Sequence, residues 1–153
     1  MNESALPERC QLIVADLSAL MREAHVLKAR LAEDAERAHK EQTRLLLAML
    51  DVLDSFERVF ANIEPREATA DRQARIWVGN FRTVRRVLDN HLRDLGVVRI
   101  EAPEGKVVPG LHTVTETREQ LDLDDEVILE EVQRGYLWRN RVLRKSTVIA
   151  VKN

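Results

Sequence analysis

Apolar residues recur along the first 31 positions at alternating steps of four and three. This spacing is the heptad pattern, which aligns side chains along one face of a long helix. The chain has no helix breaker between Pro7 and Pro65, and a proline suits a first helical turn. We therefore predict a long coiled-coil helix over residues 1–44. Its stripe consists of Leu6, Cys10, Ile13, Leu17, Leu20, Ala24, Leu27 and Leu31.

A second apolar stripe follows with a shift in phase. Leu31 and Leu46 are 15 residues apart, one more than two heptads, so the apolar face rotates by about one residue. The pattern predicts either a bend or a local unwinding between Asp34 and Arg44, and this segment should be the weakest part of the helix. The second stripe consists of Leu46, Met49, Leu53, Phe56, Phe60 and Ile63.

The length of this helix indicates how its apolar stripe is buried. An unbroken helix from Glu8 to Glu64 would measure roughly 80 Å, whereas a folded domain of this size has a radius of gyration of about 15 Å. The remaining residues cannot cover such a helix, so we expect a second copy of the chain to bury it. The alternative is a helix that breaks at the phase shift and folds back on itself. The expected dimer contacts are Leu6, Ile13, Leu17, Leu20, Leu27, Leu31, Leu46, Leu53, Phe56 and Phe60.

A second helical segment is expected between Arg66 and Leu95. Its apolar residues share one helical face, and Gly96 is placed to cap its end. Because Pro65 is expected to stop the first helix, residues 45–95 form a predicted helical hairpin. Two hairpins from two chains would make a four-helix bundle. The apolar face consists of Trp77, Phe81, Val84, Leu88, Leu92 and Leu95.

The pattern changes after Gly96 to short β-branched clusters separated by glycine, proline and acidic stretches. These clusters are typical of short strands, and residues 96–153 are predicted to form a small all-β domain. The fold class is therefore α+β. The predicted strands cover residues 97–100, 126–129, 136–138 and 147–151.

Net charge, apolar runs and cysteine content limit the partners and the cellular location that the chain can have. The formal net charge of −2 gives no electrostatic indication of nucleic acid or of an anionic membrane. No apolar run approaches the roughly 20 residues of a membrane span, and the start of the chain does not resemble a signal peptide. The single cysteine excludes an internal disulfide and fits a reducing compartment, so a cytoplasmic location is expected.

Motifs of catalysis are missing from the sequence. The glycines are too far apart for a phosphate-binding loop, and no histidine and glutamate have the spacing of metal ligands. Cys10 lies in the heptad stripe, where an inert thiol is expected. The acidic run around Asp122–Glu126 is better explained as a solvated turn than as a cation site. We therefore expect no cofactor, no metal and no enzymatic activity.

Charge is segregated in the last third of the chain. Residues 116–131 contain eight acids and one base, and residues 134–152 contain six bases and no acid. One explanation is two neighbouring strands that pair electrostatically. A hairpin with a turn at Arg139-Asn140 would also place Arg141 beside Trp138. An exposed arginine with aromatic and aliphatic neighbours is typical of a protein-binding hot spot.

The same C-terminal stretch resembles the GrpE family, the nucleotide exchange factors of DnaK-type heat-shock chaperones. The resemblance depends on the order and spacing of several motifs between Ala35 and Asn153. These motifs are Leu45–Arg58, Leu95-Gly96-Val97, Val107-Val108-Pro109 with His112, Gly135-Tyr136, Arg141-Val142-Leu143-Arg144 and Val148–Lys152.

Membership of this family implies a parallel homodimer with paired long helices, a four-helix bundle and one β-domain per chain. One β-domain would open the chaperone's nucleotide-binding domain so that ADP leaves. By position, Arg141 matches the family's contacting arginine, and Pro109 and His112 match its Pro-x-x-His loop. The expected chaperone-binding residues are Arg141, Pro109, His112, Val108, Leu111, Trp138 and Val142.

The sequence departs from the family pattern around these positions. Val107-Val108 precedes the loop proline, Thr113-Val114 follows His112, and Lys145-Ser146 follows the second arginine. The alternative function is a dimeric coiled-coil adaptor whose β-domain docks a different protein and has no exchange activity.

Overall fold

The computed structural model describes residues 5–102 and 105–153, with side chains from Cys10 onward. Two helices are followed by strands, so the α+β class predicted from the sequence is confirmed. By contacts the chain divides into two compact units, one ending at Thr43 and one spanning Arg44–Asn153. The elements are α1 (Ala5–Glu67), α2 (Arg72–Asp94), β1 (Val97–Arg99), β2 (His112–Arg118), β3 (Ile128–Gln133), β4 (Tyr136–Trp138), β5 (Arg141–Arg144) and β6 (Ser146–Val151).

The predicted stop of the first helix at Pro65 is wrong by two residues, because α1 ends at Glu67. Proline lacks the N–H donor but keeps a helical φ, so a helix can run past it for part of a turn. Helix α2 then begins after Asp71, whose Oδ1 accepts the N–H of Ala74 at 2.7 Å. The predicted glycine cap is confirmed: Gly96 has a φ of 83° and donates its N–H to the carbonyl oxygen of Arg93 at 2.9 Å.

The strands form two three-stranded sheets. Sheet 1 has the order β1-β4-β5 and is antiparallel throughout. Sheet 2 has the order β2-β6-β3, with β6 parallel to β2 and antiparallel to β3. As the central strand of sheet 2, β6 is buried over the continuous apolar run from Val148 to Val151.

Strand prediction is confirmed for β1, β4 and β6, apart from end residues, and fails at two places. Strand β3 begins at Ile128 rather than Glu126, because Glu126 has a φ of 66° and lies in a turn. Strand β2 was not predicted at all. Its sequence, His-Thr-Val-Thr-Glu-Thr-Arg, has no apolar cluster to indicate a strand, although threonine and valine favour strands. The lack of an apolar cluster agrees with the burial pattern, because only His112 of β2 is buried.

Helices and sheet 1 share one core in the unit Arg44–Asn153. The apolar face of α1 packs against α2, β1 and β4, and this burial is the main favourable contribution to the stability of the unit. The core residues are Leu46, Leu50, Leu53, Leu92, Val97, Tyr136 and Trp138. In residues 5–102 and 105–153, no helix combines the length and the apolar character that a membrane crossing requires.

Candidate functional site

A tight turn joins β4 to β5. Arg139 and Asn140 have φ angles of 50° and 62°. Two consecutive left-handed residues are typical of the two-residue hairpin turn whose twist matches that of the strands. Asparagine tolerates this conformation, but for arginine it costs about 1–2 kcal/mol. The predicted hairpin with its turn at Arg139-Asn140 is confirmed.

The contacts of Arg139 offset the cost of its backbone conformation. Its guanidinium carbon lies 4.9 Å from the centroid of the Trp138 ring, within the range of a cation–π contact. Its backbone N–H donates to the carbonyl oxygen of Gly96 at 3.3 Å. We infer that these contacts hold the hairpin tip in one conformation.

Trp138 lies inside the core rather than on the surface. It is 6% exposed, and its Nε1 donates to the carbonyl oxygen of Leu95 at 3.1 Å. Arg141 pairs with Trp138 across the two strands, as predicted, but Arg139 covers the indole ring. Trp138 therefore packs under the hairpin turn as part of the core, whereas the residues that follow it, Arg139 to Arg141, face solvent.

Arginine and aliphatic surface are exposed together along β5. Arg141 is exposed and Val142 is 43% exposed, and Lys145 just beyond the strand is also exposed. Because consecutive residues of a strand point to opposite faces of the sheet, the Arg141 guanidinium suits a partner carboxylate on one face, and Val142 offers an apolar contact on the other.

The other predicted contacts lie in the segment before β2. Val108 and Leu111 are half-buried, Pro109 is exposed, and His112 is 8% exposed. The Leu111 carbonyl oxygen accepts the N–H of Ser146 at 3.0 Å, so this segment contacts the first residue of β6.

The two groups of predicted residues therefore lie at opposite ends of β5. Arg141 and Ser146 are five positions apart, and a chain of that length spans at most about 18 Å. A protein interface of ordinary size buries about 800 Å² on each partner. One partner can therefore cover both groups.

An ion pair that the sequence did not indicate attaches the hairpin to helix α1. Arg144 binds Asp54 through two hydrogen bonds, Nη1 to Oδ2 at 2.7 Å and Nη2 to Oδ1 at 2.9 Å. Gln133 also donates to Asp54 Oδ2 at 2.9 Å. The side chains of Arg144 and Asp54 are 14% and 18% exposed. We call this set the Asp54 clamp.

A second ion pair lies one helical turn further along α1. Glu57 Oε1 accepts from Arg134 Nη1 at 2.8 Å and from Arg85 Nη2 at 2.5 Å. The predicted electrostatic pairing of the acidic and basic segments is therefore wrong for Arg134 and Arg144, because both bind carboxylates of α1. Acids of the 116–131 segment bind Arg99, Lys106 and Arg118 instead.

Charge and burial also act on Tyr136, which lies between the hairpin and the helices. Burial is the main effect and raises the pKa of the Tyr136 hydroxyl, while the positive charge of Arg134 opposes it. The Arg144 guanidinium carbon lies 5.7 Å from the ring centroid. The phenol therefore stays neutral at physiological pH and contributes an apolar ring to the core.

Comparisons with known proteins identify the family. The family model of GrpE matches residues 4–152. The chain belongs to the GrpE family. Curated relatives carry the name Protein GrpE. One from Synechococcus sp. (strain CC9605) is 30% identical over 92% of this chain and 68% of its own length. One from Chlorobium luteolum is 32% identical over 82% of this chain and 63% of its own length.

A third relative named Protein GrpE, from Bacillus pumilus, is 31% identical over 79% of this chain and 63% of its own length. The chain therefore spans about two thirds of the length of these relatives. The resemblance stated from the motifs is confirmed, and this chain is a GrpE-type co-chaperone.

The expected dimer contacts of this GrpE-family chain fall into two sets. In the N-terminal unit, Ile13, Leu17, Leu20, Leu27 and Leu31 are each more than half exposed on the single chain. Leu6 lies outside the residues whose side chains the structure describes.

In the second unit, Leu46 and Leu53 are buried in the core that the chain forms by itself, whereas Phe56 and Phe60 are half-buried and stack on one another. Apolar side chains that the single chain leaves exposed are also found on α2, at Ile76, Trp77, Phe81, Val84 and Val87.

Across the described part of the chain, no group of three or more His, Cys, Asp or Glu side chains has an arrangement that could hold a metal ion. Cys10 is exposed on α1.

Proposed function

We propose that this chain is a nucleotide exchange factor for a DnaK-type chaperone. Its β-domain binds the chaperone's nucleotide-binding domain in the open state and thereby promotes release of ADP. An exchange factor of this kind acts by differential affinity: it binds the open cleft more tightly, which weakens nucleotide binding by the same factor. No covalent bond is made or broken.

The observation that supports this proposal most directly is the presentation of Arg141. The residue matches the family's contacting arginine, is exposed, and stands beside a turn that Trp138 and Arg139 hold in one conformation. A backbone segment that is already ordered loses less entropy on binding, so more of the interaction energy of Arg141 appears as affinity.

Dimerisation through α1 is part of the same proposal. The five exposed dimer-contact residues from Ile13 to Leu31 belong to the apolar stripe of α1, which a second copy in parallel register would cover. The exposed apolar residues of α2 offer a further surface for two chains to share. The proposal thus accounts for the large amount of apolar surface on the isolated chain.

Release of a fluorescent ADP analogue from a DnaK-type chaperone of the same cell tests the proposal by stopped-flow fluorescence. We expect the chain to accelerate release and the Arg141→Ala variant to need roughly tenfold more protein for the same rate. Arg118→Ala is the matched control, because Arg118 is also an exposed arginine of the β-domain and its guanidinium pairs with Glu116 of the same strand.

Equal loss in both arginine variants would indicate an effect of net charge and remove Arg141 from the site. No acceleration with any DnaK-type chaperone of the cell would overturn the exchange function. A partner recovered by pull-down that is not such a chaperone would then favour the adaptor function.

A further inference from the structure

The segment Val108–His112, here called the Val108 turn, is closed by hydrogen bonds between its last residue, His112, and its first residue, Val108. The N–H of Val108 donates to His112 Nδ1 at 2.9 Å. The carbonyl oxygen of Val108 accepts the N–H groups of Leu111 and His112, each at 3.1 Å. His112 therefore binds both polar backbone groups of Val108, one through its ring and one through its own backbone.

His112 itself is fixed by sheet 2. It is the first residue of β2, lies opposite Ser146 in the register with β6, and is almost fully buried. Its ring lines a small cavity together with Ile128 and Val148, beside the ion pair between Arg99 and Glu131. The backbone of His112 is thus fixed by the sheet, and its ring Nδ1 is bonded to the turn.

The hydrogen bond also determines the state of the ring. Nδ1 accepts a hydrogen bond from the Val108 N–H, so it carries a lone pair and the ring hydrogen is on Nε2. A buried, neutral ring that already uses Nδ1 within the chain has little to offer a partner directly. Pro109 and Gly110, by contrast, are exposed at the top of the turn.

From these contacts we infer that His112 is a positioning residue that holds Val108 and Pro109 in the conformation that binds the partner. The inference rests on the proposed function, because the turn was assigned to the binding surface through the family resemblance. It revises the expectation that His112 itself contacts the chaperone. Loss of one such hydrogen bond should weaken binding about fivefold, through the cost of ordering the turn.

Two amide substitutions separate the positioning role from a contact role. In His112→Asn the side-chain oxygen can occupy the place of Nδ1 and accept from Val108. In His112→Gln the amide extends toward the place of Nε2 and leaves the Val108 N–H without its acceptor. Both variants are neutral and polar, so they differ mainly in where the acceptor lies.

The measurements are chaperone affinity by titration calorimetry and exchange of the Val108 amide hydrogen by NMR, with thermal unfolding as a check that each variant folds. We expect His112→Asn to keep amide protection and to bind within twofold of the wild type. We expect His112→Gln to lose the protection and to bind about fivefold more weakly.

Several results would overturn the inference. One is unchanged affinity in His112→Gln after amide protection is lost, and another is weaker binding in both variants while Val108 stays protected. A ¹⁵N spectrum of the wild type with a hydrogen on Nδ1 would also contradict it. If the wild type binds no DnaK-type chaperone, the proposed function fails, whereas the hydrogen bond is still judged by Val108 protection and the ¹⁵N shifts.

Discussion

Single residues determine how closely the two sheets approach one another. Gly135 lies between β3 and β4, where its N–H donates to Ser146 Oγ at 2.9 Å and its carbonyl oxygen accepts from Ile100 at 2.9 Å. A Cβ atom at this position would stand 2.3 Å from the Ser146 nitrogen and 2.4 Å from its Oγ. Only glycine fits here without a shift of the β6 backbone.

Replacing this glycine should destabilise the β-domain. We expect Gly135→Ala to lower the free energy of unfolding by about 2–4 kcal/mol, because the clash is with backbone and the strand must move. Urea denaturation followed by circular dichroism measures the change.

Gly79 provides the matched control for that experiment. It lies inside α2 and a Cβ there would meet nothing within 4 Å. Gly79→Ala should therefore raise stability by up to about 1 kcal/mol, as is usual for alanine in a helix. Equal effects of the two substitutions would contradict the close approach at Gly135.

The relation between elements depends on charged contacts as well as on the apolar core. The Asp54 clamp joins the end of β5 to α1, and the Glu57 contacts join the segment before β4 to both α1 and α2. These contacts are directional, whereas apolar packing tolerates small rotations of one layer on another. We infer that they fix the orientation in which the hairpin presents Arg141.

Breaking the clamp from one side should therefore affect both stability and binding. Asp54→Asn leaves the mostly buried Arg144 guanidinium without its carboxylate, and we expect a loss of about 2–3 kcal/mol in the free energy of unfolding. Chaperone affinity should fall as well, although Asp54 does not belong to the proposed contact surface.

Asp51 is a suitable comparison because it approaches the same arginine from an exposed position. Its carboxylate lies 3.6 Å from Arg144 Nη1 and its side chain is 77% exposed. Asp51→Asn should change the free energy of unfolding by less than about 0.5 kcal/mol, as is typical of solvent-exposed pairs. If both substitutions cost the same, the clamp has no special role.

At the scale of the whole molecule, the exposed apolar stripe of α1 is the surface through which we propose that two chains pair. Cys10 occupies one position of this stripe and is exposed, so its thiol can report how two α1 helices pair. In a parallel pair in register, the two Cys10 residues would face each other at a distance that a disulfide can bridge. In an antiparallel pair they would be far apart.

Oxidation with a mild catalyst should therefore produce a reducible species of twice the 17.6 kDa chain mass on non-reducing gels. Cys10→Ser should abolish it. The double variant Cys10→Ser with Ser18→Cys moves the thiol to the outer face of the heptad and should form much less of it. No cross-link in the wild type, with a dimer still present in solution, would exclude the parallel register.

The periodicity of apolar residues and the positions of capping and turn residues are local properties of the chain, and they were enough to predict several helices and turns. The steps of four and three predicted the long helix, Gly96 predicted the end of α2, and the Arg139-Asn140 turn predicted the hairpin. The ordered motifs were sufficient to predict the family. The three structural features depend on residues that are close together in the sequence, where the spacing of side chains already determines the geometry.

Only the tertiary structure decided which residues meet across long separations. Arg144 and Asp54 are 90 positions apart, and charge segregation suggested a partner for the basic segment in the neighbouring strands rather than in α1. The burial of Trp138 and His112 likewise depends on packing of helices and sheets. Sequence spacing cannot indicate such contacts, because the position of each layer results from the whole core being filled at once.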